Sequence, residues 1–211
     1  MSAEFSLCAH FRPCHLTASA EIMLSLVVAE EEHLPWLIGN LGTKGVRAKL
    51  WAFDSFCGLP AKKDIRDQHP RWHEGSLAMG VEEFKKMCLK KGIPASEFIV
   101  VPGFYEQSLG DGPDKNFPKD ICLAYIDCDL YSSTAAVLDF LTKRLKHGMI
   151  IAFDDYYCWS ATQVSGERKA CHEYFRNNKD WALLPFVQYG WHGMSFVVEN
   201  RKLHGECSVG Y

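Results

Sequence analysis

From about residue 48 onward, short apolar runs alternate with helix-patterned segments. That alternation restricts the chain to an α/β architecture, a mostly parallel sheet with helices on both faces. Lys49–Phe53, Phe98–Val101, Ile121–Ile126 and Met149–Phe153 read as strands. Val81–Lys91 reads as an amphipathic helix that stops at Gly92. Ser133–Leu145 reads as a second, with Ser132 or Ser133 as its cap and Val137, Leu138, Leu141 and Leu145 on one face. Gly166–Asn177 is a third helix. Trp181–Val187 and Met194–Glu199, joined by the short Gln188–Gly193 connection, predict a closing antiparallel hairpin at one sheet edge.

A chain of 211 residues suits one domain, at about 100–200 residues each. Its net charge of −3 carries no basic footprint for nucleic acid. The longest apolar stretches fall far short of the ~18 residues of a membrane span. Nine cysteines, an odd number without a CxxC pair, predict reduced thiols in a cytoplasmic protein, since no secretory signal is recognisable. Cys8, His10, Cys14 and His15 match no zinc spacing and read as incidental.

Chemistry is expected outside the carboxyl ends of the parallel strands. The strand Lys49–Phe53 runs into Asp54, Ile121–Ile126 into Asp127 with Asp129 beyond, and Met149–Phe153 into Asp154 and Asp155. A single such acid is a common loop cap. Three strands ending in acids predict a shared crevice, where Asp127, Asp154 and Asp155 repel one another unless protons or a cation neutralise them. Oxygen donors alone suit a hard cation such as magnesium or calcium. Asp54, standing apart, suits the hydroxyls of a ribose.

Three blocks carry a family resemblance. Phe53-Asp54-Ser55-Phe56-Cys57-Gly58-Leu59-Pro60, Ile126-Asp127-Cys128-Asp129-Leu130-Tyr131-Ser132-Ser133-Thr134 and Gly148-Met149-Ile150-Ile151-Ala152-Phe153-Asp154-Asp155-Tyr156 resemble the signatures of the macrocin O-methyltransferase (TylF-type) family. The resemblance spans about residues 48 to 200. It implies a Rossmann-like class I fold and an O-methyltransferase that uses S-adenosylmethionine (SAM) and a divalent cation, Mg2+ or another hard ion. The acceptor implied is a hydroxyl of a sugar or polyol-bearing small molecule. Asp127, Asp154 and Asp155 would be metal ligands, and Asp127 the catalytic base. Asp54, Ser55 and Phe104 would contact the cofactor. No nucleic-acid or membrane partner is implied, and a homo-oligomer is left open.

The N-terminal region departs from this pattern. Ile22–Val28 reads as the first strand and Glu31–Leu41 as the following helix, yet the connection Ala29-Glu30-Glu31-Glu32 has no glycine. Side chains there would crowd and repel the amino-acid end of SAM. Residues 1–30 therefore read as an atypical segment before a methyltransferase-like domain over 31–211, and weak SAM binding is expected. Gly39, Gly42 and Gly45 have neither the spacing nor the place of a dinucleotide fingerprint. A second function stays open, that of a non-catalytic methyltransferase-fold protein, truncated or deficient in its cofactor loop, serving as a binding or scaffold module. A nicotinamide oxidoreductase ranks last for want of its motifs. Among the remaining residues, His192 reads as a turn histidine, Arg168 as a surface salt-bridge partner, Cys128 as core, Tyr131 as core packing and Asp129 as a loop cap or support for the site. Tyr157, Trp159 and Arg168 are candidates to line the acceptor pocket, the salt bridge being the favoured reading of Arg168.

Overall fold

The computed structural model describes residues 21–25, 49–110, 117–158 and 164–203, the first segment by its backbone. Seven strands are described: β1 (Glu21–Ser25), β2 (Lys49–Asp54), β3 (Phe98–Pro102), β4 (Ile121–Ile126), β5 (Ile150–Phe153), β6 (Trp181–Tyr189) and β7 (Gly193–Asn200). They form one sheet in the order β3-β2-β1-β4-β5-β7-β6. β3, β2, β1, β4 and β5 are mutually parallel, while β7 runs antiparallel to both β5 and β6. The strand order reverses between β1 and β4, which opens the binding crevice at the carboxyl ends of the central strands.

β1 pairs on one side with β2 and on the other with β4. The expected boundary at residue 30 therefore falls after a central strand, and the sheet of the domain begins within residues 1–30. The connection Ala29–Glu32, the glycines of residues 39–45 and the cysteine–histidine group of residues 8–15 lie outside the described residues.

Alternation along the strands sends side chains into two cores. Leu50, Ala52, Leu123 and Tyr125 pack with Phe84 and Met87 of helix α1 (Val81–Lys90) on one face. Trp51, Phe53, Ala124 and Ile126 pack with Leu138 and Leu141 of helix α3 (Tyr131–Thr142) on the other. A short helix, α2 (Tyr105–Ser108), follows β3, and α4 (Gly166–Phe175) packs beside α3. Every residue of β4 is buried, as a strand covered on both faces requires.

The start of α3 differs from expectation. Leu130 is its N-cap, without a side-chain cap bond, and Ser132 lies inside the helix. The capping oxygen comes from far away in sequence: Asp67 Oδ1, in a 3-10 turn at Ile65–Asp67, accepts the Ser132 N–H at 2.9 Å. Local propensity cannot show such a cap, because the donor and acceptor are brought together only by the fold. The hairpin is as expected in sense but longer, with both strands reaching the turn at Gly190-Trp191-His192. Gly193 is required there, since a Cβ would lie 2.1 Å from the Tyr189 ring.

Candidate active site

β2, β4 and β5 all end in acids at one edge of the sheet, β4 and β5 as neighbours and β2 beyond β1. Asp127 follows β4, and the chain then turns sharply through Asp129, whose φ of 56° lies in the left-handed region. Asp is among the residues that tolerate this conformation. Carboxylate oxygens of Asp127, Asp129 and Asp155 all lie within 4.8 Å of one another. A second group, Asp154, Asp155 and His192, shares Asp155 and meets the same distance. The structure thus brings the three predicted ligand residues to one pocket. It places Asp129, read as a loop cap or support, within the carboxylate cluster, and it adds His192 and the buried Glu167.

Electrostatics here are severe. Burial, then the neighbouring Asp154, Asp129 and Asp155, pushes the Asp127 carboxyl well above the usual range. Asp129 is raised in the same direction by burial and by Asp155. Glu167 is raised by burial and Asp155, against a lowering by the Cys128 N–H. Asp129 Oδ2 is buried and has no hydrogen-bond partner among the described residues. A bare buried oxygen amid crowded carboxylates is the donor set a hard cation satisfies.

The surrounding hydrogen bonds orient the acids. Tyr125 O–H donates to Asp154 Oδ1, and the Cys158 thiol donates to Asp155 Oδ1 at 2.7 Å. His192 Nδ1 lies 2.8 Å from the Asp154 carbonyl oxygen, which can only accept, so Nδ1 carries the proton. In that tautomer Nδ1 braces the Asp154 loop and does not ligate. The expectation of a plain turn histidine is therefore corrected: His192 sits in the turn but holds the site.

At β2, Asp54 is buried, and burial pushes its carboxyl up to about 7 against the Phe56 and Ser55 N–H groups that lower it. Two N–H donors leave a carboxylate with unused acceptor capacity, which fits a diol. Ser55 is spent locally: its hydroxyl donates to Gly58 O at 2.7 Å and accepts Cys57 N–H at 3.1 Å. That hydroxyl braces the turn, as does Gly58, where a Cβ would meet Gly75 O at 2.6 Å. Phe104, half-buried, caps the start of α2. Gly103 N–H donates to Asp54 O at 2.8 Å, so Phe104 follows directly on the segment beside Asp54.

Cys128 is fully buried, as expected. Tyr131 packs in the core and its hydroxyl donates to Glu173 at 2.6 Å. Among the described residues Arg168 makes no ion pair; its guanidinium lies 5.5 Å from the Tyr156 ring and 5.4 Å from that of Tyr157. Trp159 lies outside the described residues.

With this geometry in place, known proteins supply the family. The family model of the macrocin O-methyltransferases (TylF) matches residues 36–184, well over half of the chain. The chain belongs to that family. The three blocks and the acid cluster all fall within the matched span. A curated relative from Streptomyces olivaceus, 8-demethyl-8-(2,3-dimethoxy-alpha-L-rhamnosyl)-tetracenomycin-C 4'-O-methyltransferase, is 29% identical over 131 residues. That match covers 60% of this chain and 46% of the relative, so the chain spans about half the length of the curated relative it matches. In fold the chain is similar to the O-methyltransferase NovP, with a TM-score of 0.66 and 21% identity over 85% of this chain and 72% of that one. It is also similar to the calicheamicin methyltransferase CalS11, with a TM-score of 0.64 and 21% identity over 84% and 71% of the two chains. These likenesses establish the Rossmann-like methyltransferase fold. Among the described residues no helix is long and apolar enough to cross a membrane.

Proposed function

We propose that this chain transfers a methyl group from SAM to a hydroxyl of a sugar or polyol-bearing small molecule, beside a hard divalent cation such as magnesium. The observation that carries the reading is the convergence of Asp127, Asp129 and Asp155 within 4.8 Å, with Asp154 beside them. Asp127, Asp154 and Asp155 are the proposed ligands, and the unsatisfied Asp129 oxygen strengthens the donor set. A cation bound there would supply charge stabilisation for the alkoxide that forms as the acceptor loses its proton.

The chain's own residues do the rest. Asp127 takes the acceptor proton from its place at the carboxyl end of β4, within the cluster of carboxylates. Asp54 holds the ribose hydroxyls of the cofactor at the end of β2, and Phe104 offers a ring to its base. The sulfonium methyl is already activated, so the protein's main contribution is to hold the acceptor oxygen in line with it. A sugar hydroxyl is favoured as acceptor because the Streptomyces olivaceus relative is named for methylating a rhamnosyl group.

The test is isothermal titration with SAM, with and without Mg2+, followed by turnover on glycosylated acceptors read by mass spectrometry. SAM binding and a monomethylated product support the reading. The glycine-free Ala29–Glu32 connection favours a second reading, a binding module that has lost SAM. Retained Mg2+ binding with no SAM binding would select it.

A further inference from the structure

Glu167 lies in the first turn of α4 and is fully buried, 0% exposed. Its two oxygens point to two different loops. Oε1 accepts the Cys128 N–H at 2.8 Å, and Oε2 accepts the Asp155 N–H at 2.9 Å. Cys128 stands between Asp127 and Asp129, so one carboxylate grips the loop after β4 and the loop after β5 together. Both oxygens are occupied by backbone donors, which sets Glu167 apart from the aspartates whose oxygens face one another.

Burying a fifth carboxylate beside four others is unfavourable. Two charge-assisted hydrogen bonds and the positive end of α4 offset part of that cost. The rigid, planar carboxylate fixes the separation of the two N–H groups, and with it the separation of the aspartates that flank them. A neutral side chain of the same size could not accept from both.

We propose that Glu167 is a positioning residue that clamps the loops after β4 and β5 at the spacing at which Asp127 and Asp129 of the one loop and Asp154 and Asp155 of the other meet one divalent cation. This rests on the cation site proposed above. Glu167 acts through the two loops and does not itself ligate.

The experiment compares the full chain with Glu167→Gln by Mn2+ binding, followed by electron paramagnetic resonance, and by thermal unfolding in EDTA. The amide keeps one acceptor and turns an NH2 group toward the other N–H. Loss of a residue that orients ligands lowers metal affinity by about 10- to 100-fold. That fall is expected here, with both proteins compared at a temperature where thermal unfolding in EDTA shows each to be folded. A role confined to stability gives a lower melting temperature in EDTA and unaltered Mn2+ affinity, and overturns the clamp. A wild-type chain that binds no Mn2+ overturns the cation site and the clamp with it. If Glu167→Gln fails to fold, amide hydrogen exchange in the wild type decides. The Cys128 and Asp155 amides should be protected, and Mg2+ should raise the protection of both together. Exchange of either at the rate of a free loop amide overturns the proposal.

Discussion

His192 donates its Nδ1–H to the backbone carbonyl of Asp154 across 2.8 Å, which ties the β6–β7 turn to the loop that carries two of the site's acids. The tie is double, because Tyr157 N–H donates to His192 O at 2.8 Å. His192→Ala should leave the Asp154 carbonyl without this donor. Loss of one such hydrogen bond costs about 0.5–1.5 kcal/mol. Urea unfolding should show a loss of that size, and His192→Asn, which keeps a donor, should recover part of it.

Asp127→Asn should reduce methyl transfer by roughly 100- to 10,000-fold, the usual range for removal of a general base. SAM affinity should stay unchanged, since Asp54 lies on a different strand. The same substitution removes one charge from a crowded cluster. The metal-free protein should therefore melt higher in EDTA than wild type, while the stabilisation conferred by Mg2+ should shrink. Calorimetric scans of both proteins with EDTA and with Mg2+ check both halves.

Asp54 gives a pH dependence. Its folded pKa of about 7 lies above the ordinary 3.8, so the folded state binds the proton more tightly. Its contribution to stability is fully present below about pH 4 and is lost as pH rises through 7. A shift of that size corresponds to a change on the order of 4 kcal/mol. Asp54→Asn should flatten this part of the stability profile, read by urea unfolding in EDTA at pH 5 and pH 8. Asp54→Ala should also weaken SAM binding by about 1.5–3 kcal/mol, the range for a hydrogen bond to a charged group. Unchanged affinity would leave Asp54 as a turn residue only.

The strands were legible because their apolar runs are short, β-branched or aromatic, and bounded by turn residues. Ile121–Ile126 is the same span in sequence and structure. Asp127, Asp154 and Asp155 were legible because parallel strands place their carboxyl ends together, so position along the chain translates into position in space. Glu167 and His192 were not. Each reaches the site from an element whose docking is decided by packing, α4 against α3 and the β6–β7 turn over β5. No periodicity marks them, although Glu167 in the first turn of a helix reads as an ordinary dipole-favouring acid. Asp129 carried a signal, its place two residues beyond Asp127, but only the left-handed turn at Asp129 shows that its carboxylate joins the cluster.

The cap on α3 links the loop after β2 to the same region. Asp67 is fully buried, and its Oδ1 accepts Ser132 N–H at 2.9 Å while its Oδ2 accepts Asp64 N–H at 3.2 Å. Arg66 beside it stacks its guanidinium 3.7 Å from the Tyr131 ring, so the 3-10 turn and the first turn of α3 form one packed unit. Asp67→Ala removes both acceptors at once and leaves the part-buried Ser132 N–H at the helix end unmet. Loss of an N-cap costs about 0.5–2 kcal/mol, the size expected here. Because α3 begins two residues after Asp129, fraying of its first turn should also loosen that acid. The expected outcome is a drop in urea midpoint together with weaker Mn2+ binding, and Asp67→Asn, which keeps one acceptor, should fall between the two. A drop in stability with full Mn2+ affinity would show that the cap and the acid cluster are energetically separate.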